Sequence, residues 1–501
     1  MDVVGTFEAD IAAIETEHPE YSHRDIILVF TALVSAIFLA SLDSTIVATA
    51  LPTITRDLGA FSHLAWVVTA YLLATTVATP IWAKFGDLRG RKKLLQGSIL
   101  VFLLGSVLCG AAQNLDQLIA ARFVQGLGGG GIIVMVQSTI AEIIPVRQRG
   151  RYQGYTQATY AFASVAGPLL GGALVQTVGW RWIFYINLPV GAVAIALTQI
   201  RLKLKPRHIV APVDYTGIVL LVVSLSMLVL YTVNVQSAFD FFSLKSGAFL
   251  IAVALVFGHF VLQERGALEP IVPLRLFNNS TFRLAAIAMA AANCTLFGAT
   301  IYLPVFQQVV RGYTPTVSGL LLTPLMLGLT VSSTLSGRRI AKDGKYKGVA
   351  IISMAVVTFS LVLLTLLKPS TGPWQIGIVV GLFGLGYGPA VQVLIQAVQY
   401  SAPRRDIGAA TGAAGLSRML GGSFGAALFG AIFAAGLSPS LVRTVTGGFG
   451  GSHGHVLNSH AAALRVTTAI SHVYLVGAAI SAVGLLAVCL MPNRTLTDEQ
   501  P

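Results

Sequence analysis

Two ionisable residues stand inside stretches that are otherwise apolar. Asp43 interrupts IFLASLDSTIVATALP at residues 37–52, and Arg122 opens RFVQGLGGG at residues 122–130. A carboxylate in an apolar helix is costly unless it finds a cation, a polar cavity or a proton. The chemistry open to Asp43 is therefore reversible protonation, ion pairing, or both in turn.

The elements that must position these residues follow from composition. Of 501 residues, 55% are hydrophobic and only 11% charged, against about 25% charged in a soluble protein. Mean hydropathy is +0.77. Apolar runs of roughly 20 residues recur along the chain, each long enough for a membrane-spanning helix. We read fourteen spans: 26–50, 63–83, 94–112, 118–140, 152–175 and 181–200, then 214–234 and 246–263, then 283–309, 317–336, 348–367, 374–398, 407–434 and 466–490.

The formal charge of +13 falls in short clusters between the spans, which speaks for membrane topology and against a nucleic-acid surface. Alternating the loops places 24 of the 33 Lys and Arg on one side and six on the other, with Arg122, Arg181 and Arg418 in or at the ends of spans. By the positive-inside rule the richer side is cytoplasmic and holds both termini. The expected organisation is a tail at 1–25, a six-helix bundle at 26–200, a linker with two added helices at 201–282, a second six-helix bundle at 283–490 and a tail at 491–501. AKFGDLRGRKK (83–93) and GRRIAKDGKYK (337–347) each follow the second span of a six-helix set, which points to an internal repeat. Ala341 stands in the second copy where the first has Asp87.

Depth relates the two buried charges. Arg122 lies about 6 Å and Asp43 about 10 Å from the same face at ~1.5 Å rise per residue. Each charge alone costs at least ~2.5 kcal/mol at depth, so the two are expected to be neighbours, directly or through Gln125 or water. The pair is either a permanent structural tie or a proton carrier from which substrate or a shift of Arg122 releases the carboxylate. Asp43 is the only acid well inside a predicted span, with Glu142 and Asp214 at cytoplasmic ends.

Several motifs in order carry a resemblance. LDSTIVATALP, AKFGDLRGRKK, RFVQGLGGG, ASVAGPLLGG (163–172) and WRWIFYINLPVG (180–191) are together similar to the fourteen-helix branch of the drug:proton antiporters in the major facilitator superfamily. AKFGDLRGRKK departs from the superfamily loop at Ala83 and Leu88, and ASVAGPLLGG has Ala163 where the antiporter pattern has glycine. The resemblance implies a major facilitator fold and proton-coupled export of amphipathic drugs by alternating access. It implies that Asp87, Gly90, Arg91 and Lys92 form a cytoplasmic latch loop, and that Gly167, Pro168, Gly171 and Gly172 form an antiporter helix motif near the interface of the halves. Small residues at this spacing also let any two helices approach closely.

A substrate cavity should draw on the first, second, fourth and fifth spans of each half. Its candidates are Tyr71, Gln125, Gln137, Gln157, Asn293, Phe297, Gln307, Gln392, Gln396 and Arg418, since amides and aromatics suit large, partly apolar ligands. Ordinary helix–helix bonding accounts equally well for each amide. Arg418 must face protein or water, as a structural tie or an anion-attracting group.

GLGGGG at 126–131 lies inside a span, so it is no nucleotide loop, and an enzyme is not expected. Nor is a cofactor or metal expected: the coupling ion would be the proton. Cys109, Cys294 and Cys489 read as small buried hydrophobes, and His259, His453, His455, His460 and His472 as interfacial or loop groups. The expected partners are small amphipathic substrates and the lipid bilayer, without nucleic acid, with the chain acting as a monomer in the cell membrane as a multi-pass protein. Two alternatives stand beside drug export: export of a specific metabolite, lipid or siderophore, and a transporter-like receptor or scaffold without coupling.

Overall fold

The computed structural model describes residues 23–58, 64–202, 214–234, 243–313, 315–403, 406–438, 441, 460–493 and 495. The long apolar runs satisfy their backbone polar groups internally, as the hydrocarbon of a bilayer requires. They form α1 (His23–Leu58), α2 (Leu64–Arg89), α3 (Arg91–Ala111), α4 (Leu115–Ile143), α5 (Val146–Thr177) and α6 (Trp182–Arg201). Two more follow, α7 (Tyr215–Asn234) and α8 (Leu244–Gly266). The last six are α9 (Ser280–Val310), α10 (Val317–Asp343), α11 (Lys347–Leu364), α12 (Pro373–Ser401), α13 (Ile407–Ala435) and α14 (His460–Leu490). Thirteen are long and apolar enough to cross a membrane, whereas the apolar part of α7, Tyr215–Tyr231, is shorter.

Several helices outrun their apolar cores, because backbone hydrogen bonding does not stop where side chains become polar. α2 continues to Arg89 and takes in Asp87, α4 continues to Ile143 and takes in Glu142, and α8 continues to Gly266 and takes in Glu264. These acids therefore sit in rigid last turns, although hydropathy places them at span ends or in loops.

The two sets of six pack alike. α1 lies against α5 and α6, and α4 against α2 and α3; correspondingly α9 lies against α13 and α14, and α12 against α10 and α11. The halves join through α5 on α10 and α2 on α13, which exchange with one another under the repeat. Glycines on α4 make its tight packing feasible: Gly126 abuts the Tyr71 backbone on α2 and Gly128 the Phe102 backbone on α3, where a side chain has no room. α7 and α8 pair through a 3.0 Å hydrogen bond between the Tyr231 and Ser246 hydroxyls and a stack of Tyr231 on Phe249. Leu221 and Leu225 of α7 share a core with Leu73 and Val77 of α2, and Tyr231 clusters with Ala427 of α13, so α7 lies along the seam. Ile251, Leu255 and Leu262 of α8 face outward.

Cys109 and Cys294 are buried, but Cys489 is exposed near the end of α14, where an apolar helix face has no protein cover. His259 and His472 are also exposed. His453 and His455 lie outside the described residues.

Candidate functional site

Asp43 is wholly buried in the first half, and five helices build its surroundings. Arg122 Nη1 of α4 donates to Asp43 Oδ2 at 2.6 Å, and Gln125 Nε2, one turn on, donates to Oδ1 at 2.8 Å. Asn187 Nδ2 of α6 donates to the same Oδ1 at 3.0 Å. Ser106 Oγ of α3 accepts from Gln125 at 2.7 Å and from Asn187 at 3.2 Å, while Arg122 Nη1 also donates to Gln125 Oε1 at 2.6 Å. The remaining face of the guanidinium lies 4.2 Å from the centre of the Tyr71 ring on α2, and Arg122 Nε donates to the Val67 carbonyl at 3.3 Å. Gln125 joins the ion pair, as the depth argument allowed, and Tyr71, expected with Gln125 among the cavity candidates, packs on the guanidinium inside the same bundle. The reason is the α4 register, which sends Arg122 and Gln125 together toward α1 and α3. Asn187 and Ser106 were missed, although Asn187 lies within WRWIFYINLPVG and is a polar residue in an apolar span.

The antiporter motif on α5 divides. Thr45 Oγ1, two residues past Asp43, donates to the Ala163 carbonyl at 3.0 Å, and Gly167 packs on Thr45. Gly171 is buried, whereas a side chain at Gly172 would meet nothing within 4 Å, and Pro168 lies within the helix. The stripe thus seats α5 on α1 of its own half. The small residues of α5 that meet the other half are Gly150 and Gly154, against Gly337 and Thr334 of α10. Their four-residue spacing was a legible close-packing signal. Gln392 Nε2 of α12 donates to the Gly150 carbonyl, and Gln396 lies beside it, fully buried with neither side-chain atom bonded. Gln399 Nε2 donates to the Gln137 carbonyl at 3.4 Å, and Gln137 itself accepts from Gln153.

Asp87 closes the same end of the seam. Its two oxygens accept from the Gly408 and Ala409 backbone N–H groups at 3.1 and 2.7 Å, capping the first turn of α13 from across the interface. Arg91 holds Asp87 at 2.9 Å, Glu142 at 2.9 Å and the Ser138 carbonyl at 2.5 Å. Gly90, at φ 90°, makes the turn that puts Arg91 one helical turn from Asp87. Lys92 differs from expectation: it donates to the Gln199 carbonyl of α6 at 2.9 Å, because it faces its own bundle.

The segment after α8 fastens both sides of this latch. Glu264 accepts from the Ile271 and Val272 N–H groups and folds the segment back. Glu269 then meets Lys84 of α2 at 2.5 Å, and Arg275 spans both oxygens of Asp406 at 3.0 and 2.8 Å. Lys84→Glu is expected to lower transport about fivefold, the weight of a partly buried ion pair near 1 kcal/mol. Glu269→Lys in the same chain should restore it; uptake rates in vesicles at equal protein abundance decide, and failure of the reversal to rescue refutes the tie.

The second half contributes a different group. Arg418 on α13 is partly exposed, with Tyr160 of α5 and Tyr387 of α12 in electrostatic reach. Asn293 Nδ2 donates to the Arg418 carbonyl at 2.8 Å and its Oδ1 accepts from Tyr387 Oη at 3.0 Å, and Phe297 lies beside Gly422. Gln157 is half-buried on α5. Gln307 Oε1 accepts from Ser318 at 2.7 Å within the second half.

Comparison with known proteins adds three findings. The Major Facilitator Superfamily family model matches residues 33–426. An uncharacterised MFS-type transporter of Mycobacterium tuberculosis is 34% identical over 94% of this chain and 70% of its own length, and the multidrug transporter protein MdtP of Bacillus subtilis is 35% identical over 81% and 75%. Among solved structures, the proton:xylose symporter XylE superposes with a TM-score of 0.63 at 14% identity, over 95% of this chain and 98% of its own.

Proposed function

The chain belongs to the major facilitator superfamily of membrane transporters, and from that membership we propose that it is a proton-coupled exporter of amphipathic compounds working by alternating access. The carrying observation is Asp43, a fully buried carboxylate held at once by Arg122, Gln125 and Asn187. A proton on Asp43 removes the charge that ties α1 to α4 and α6. α1 then shifts, and the Thr45–Ala163 bond passes the shift to α5, whose Gly150 end closes the seam on α10. The contacts at Gly150, Gly337, Asp87 and Gly408 shut the end that carries the basic loops. Under the positive-inside reading that end and both termini are cytoplasmic, so the arrangement is the outward-facing one. The names multidrug transporter and efflux pump among relatives support export of toxic compounds. The coupling ion is the proton, no cofactor takes part, and the chain acts as a monomer in the cell membrane.

The test is a panel of toxic compounds against cells with and without the gene, with and without a collapsed proton gradient. Resistance to one or more compounds that vanishes on collapse is expected. Resistance at full strength without the gradient sinks antiport, and no resistance to any compound favours export of a single metabolite.

A further inference from the structure

Two arginines lie deep in the described spans, and they differ in their partners. Arg122 is neutralised by Asp43, but among the described residues no carboxylate lies within 4.0 Å of Arg418. Arg418 is the twelfth of the 29 residues of α13, about 17 Å along the helix at ~1.5 Å per residue. An unpaired guanidinium at that depth is held only if it faces water or a ligand, and its partial exposure shows open space beside it. The groups around it come from both halves. Tyr160, beside Ser41, is presented by α5, and Tyr387 and Asn293 by α12 and α9. None of them is an acid, and each offers hydrogen-bonding atoms next to aromatic surface. Asn293 is fixed by its bonds to Tyr387 and to the Arg418 carbonyl, which sets the direction of the α13 backbone at the arginine.

We infer that Arg418, with Tyr160 and Tyr387, forms an anion-binding subsite between the halves, and that the transported compounds are amphiphiles bearing a carboxylate or a similar acidic group. The acid pairs with the guanidinium while Phe297 and the two tyrosine rings receive the apolar body. Arginine suits this task because its planar fork meets a carboxylate through two donors and keeps its charge at any physiological pH. A cationic amphiphile meets repulsion from the same group and finds no free acid in this cluster.

This substrate class rests on the exporter reading and is tested separately from it. Protein in nanodiscs of zwitterionic lipid is exposed to a set of aryl carboxylates, each with its methyl ester and its ammonium analogue. The readouts are thermal stabilisation and fluorescence titration. At least one acid is expected to bind tenfold tighter than its ester. Arg418→Gln should bring acid and ester level, and Arg418→Lys should retain part of the preference. If no acid in the set exceeds its ester, or if Arg418→Gln keeps the difference, the inference is overturned. The wild-type acid–ester comparison needs no variant, so a misfolded Arg418→Gln does not protect the idea. Binding is read without a gradient. Acid preference without gradient-driven movement removes antiport alone, and driven movement of an ammonium analogue untouched by Arg418→Gln removes the anion subsite alone.

Discussion

Asp43→Asn combined with Arg122→Gln is expected to give a folded protein that no longer moves substrate against a proton gradient. Asp43→Asn alone leaves the guanidinium, 2% exposed, without its counter-charge. Breaking a buried pair in this way costs about 3–5 kcal/mol, so the single variant should unfold at clearly lower temperature. Replacing both members by amides removes the stranded charge and keeps hydrogen-bonding atoms next to Gln125 and Asn187. Stability should then return to within about 1–2 kcal/mol of the parent, since buried pairs exchanged for neutral groups are often near neutral. Export should not return, because no group at the site can take up and release a proton. Melting curves and gradient-driven transport in vesicles, measured on the same preparations, separate the two roles. A double variant that exports at the parental rate makes the pair a structural tie and nothing more.

The latch supplies the second large effect. A side chain at Gly408 would put its Cβ within 2.5 Å of Asp87 Cγ, so Gly408→Val must drive the carboxylate off the start of α13. Two hydrogen bonds to a charged acceptor are lost, at about 1.5 kcal/mol or more each, which shifts the balance away from the closed seam about a hundredfold. Spin labels at the exposed positions Arg151 and Arg339, on the facing ends of α5 and α10, report the separation. A distance distribution moved to longer values, with transport lowered at least tenfold, is expected. An unchanged distribution would show that Asp87 does not hold the halves together.

How much of this was readable in advance depends on the range of the interaction. The helices and their order were legible because a bilayer imposes one length and one polarity on every crossing segment. The Asp43–Arg122 pairing was legible too, since two opposite charges at matching depths have few other ways to be tolerated. The latch was half legible: Asp87 in a basic loop is conspicuous, but its acceptors are the backbone N–H groups of Gly408 and Ala409, which have no sequence signature.

Side-chain direction on apolar helices was not legible. Helices buried all round have no polar face to fix their rotation, so Tyr71 was picked as a cavity residue without its contact to Arg122, and Gly150 and Gly154 were passed over in favour of Gly167. Composition and spacing alone determined a repeated bundle of membrane-crossing helices, with one deep acid–base pair and one further arginine. Tertiary packing decided that Asn187 and Ser106 close around that pair, whereas among the described residues no carboxylate lies within 4.0 Å of Arg418. That distinction is a matter of distance across helices far apart in the chain, and local sequence does not encode it.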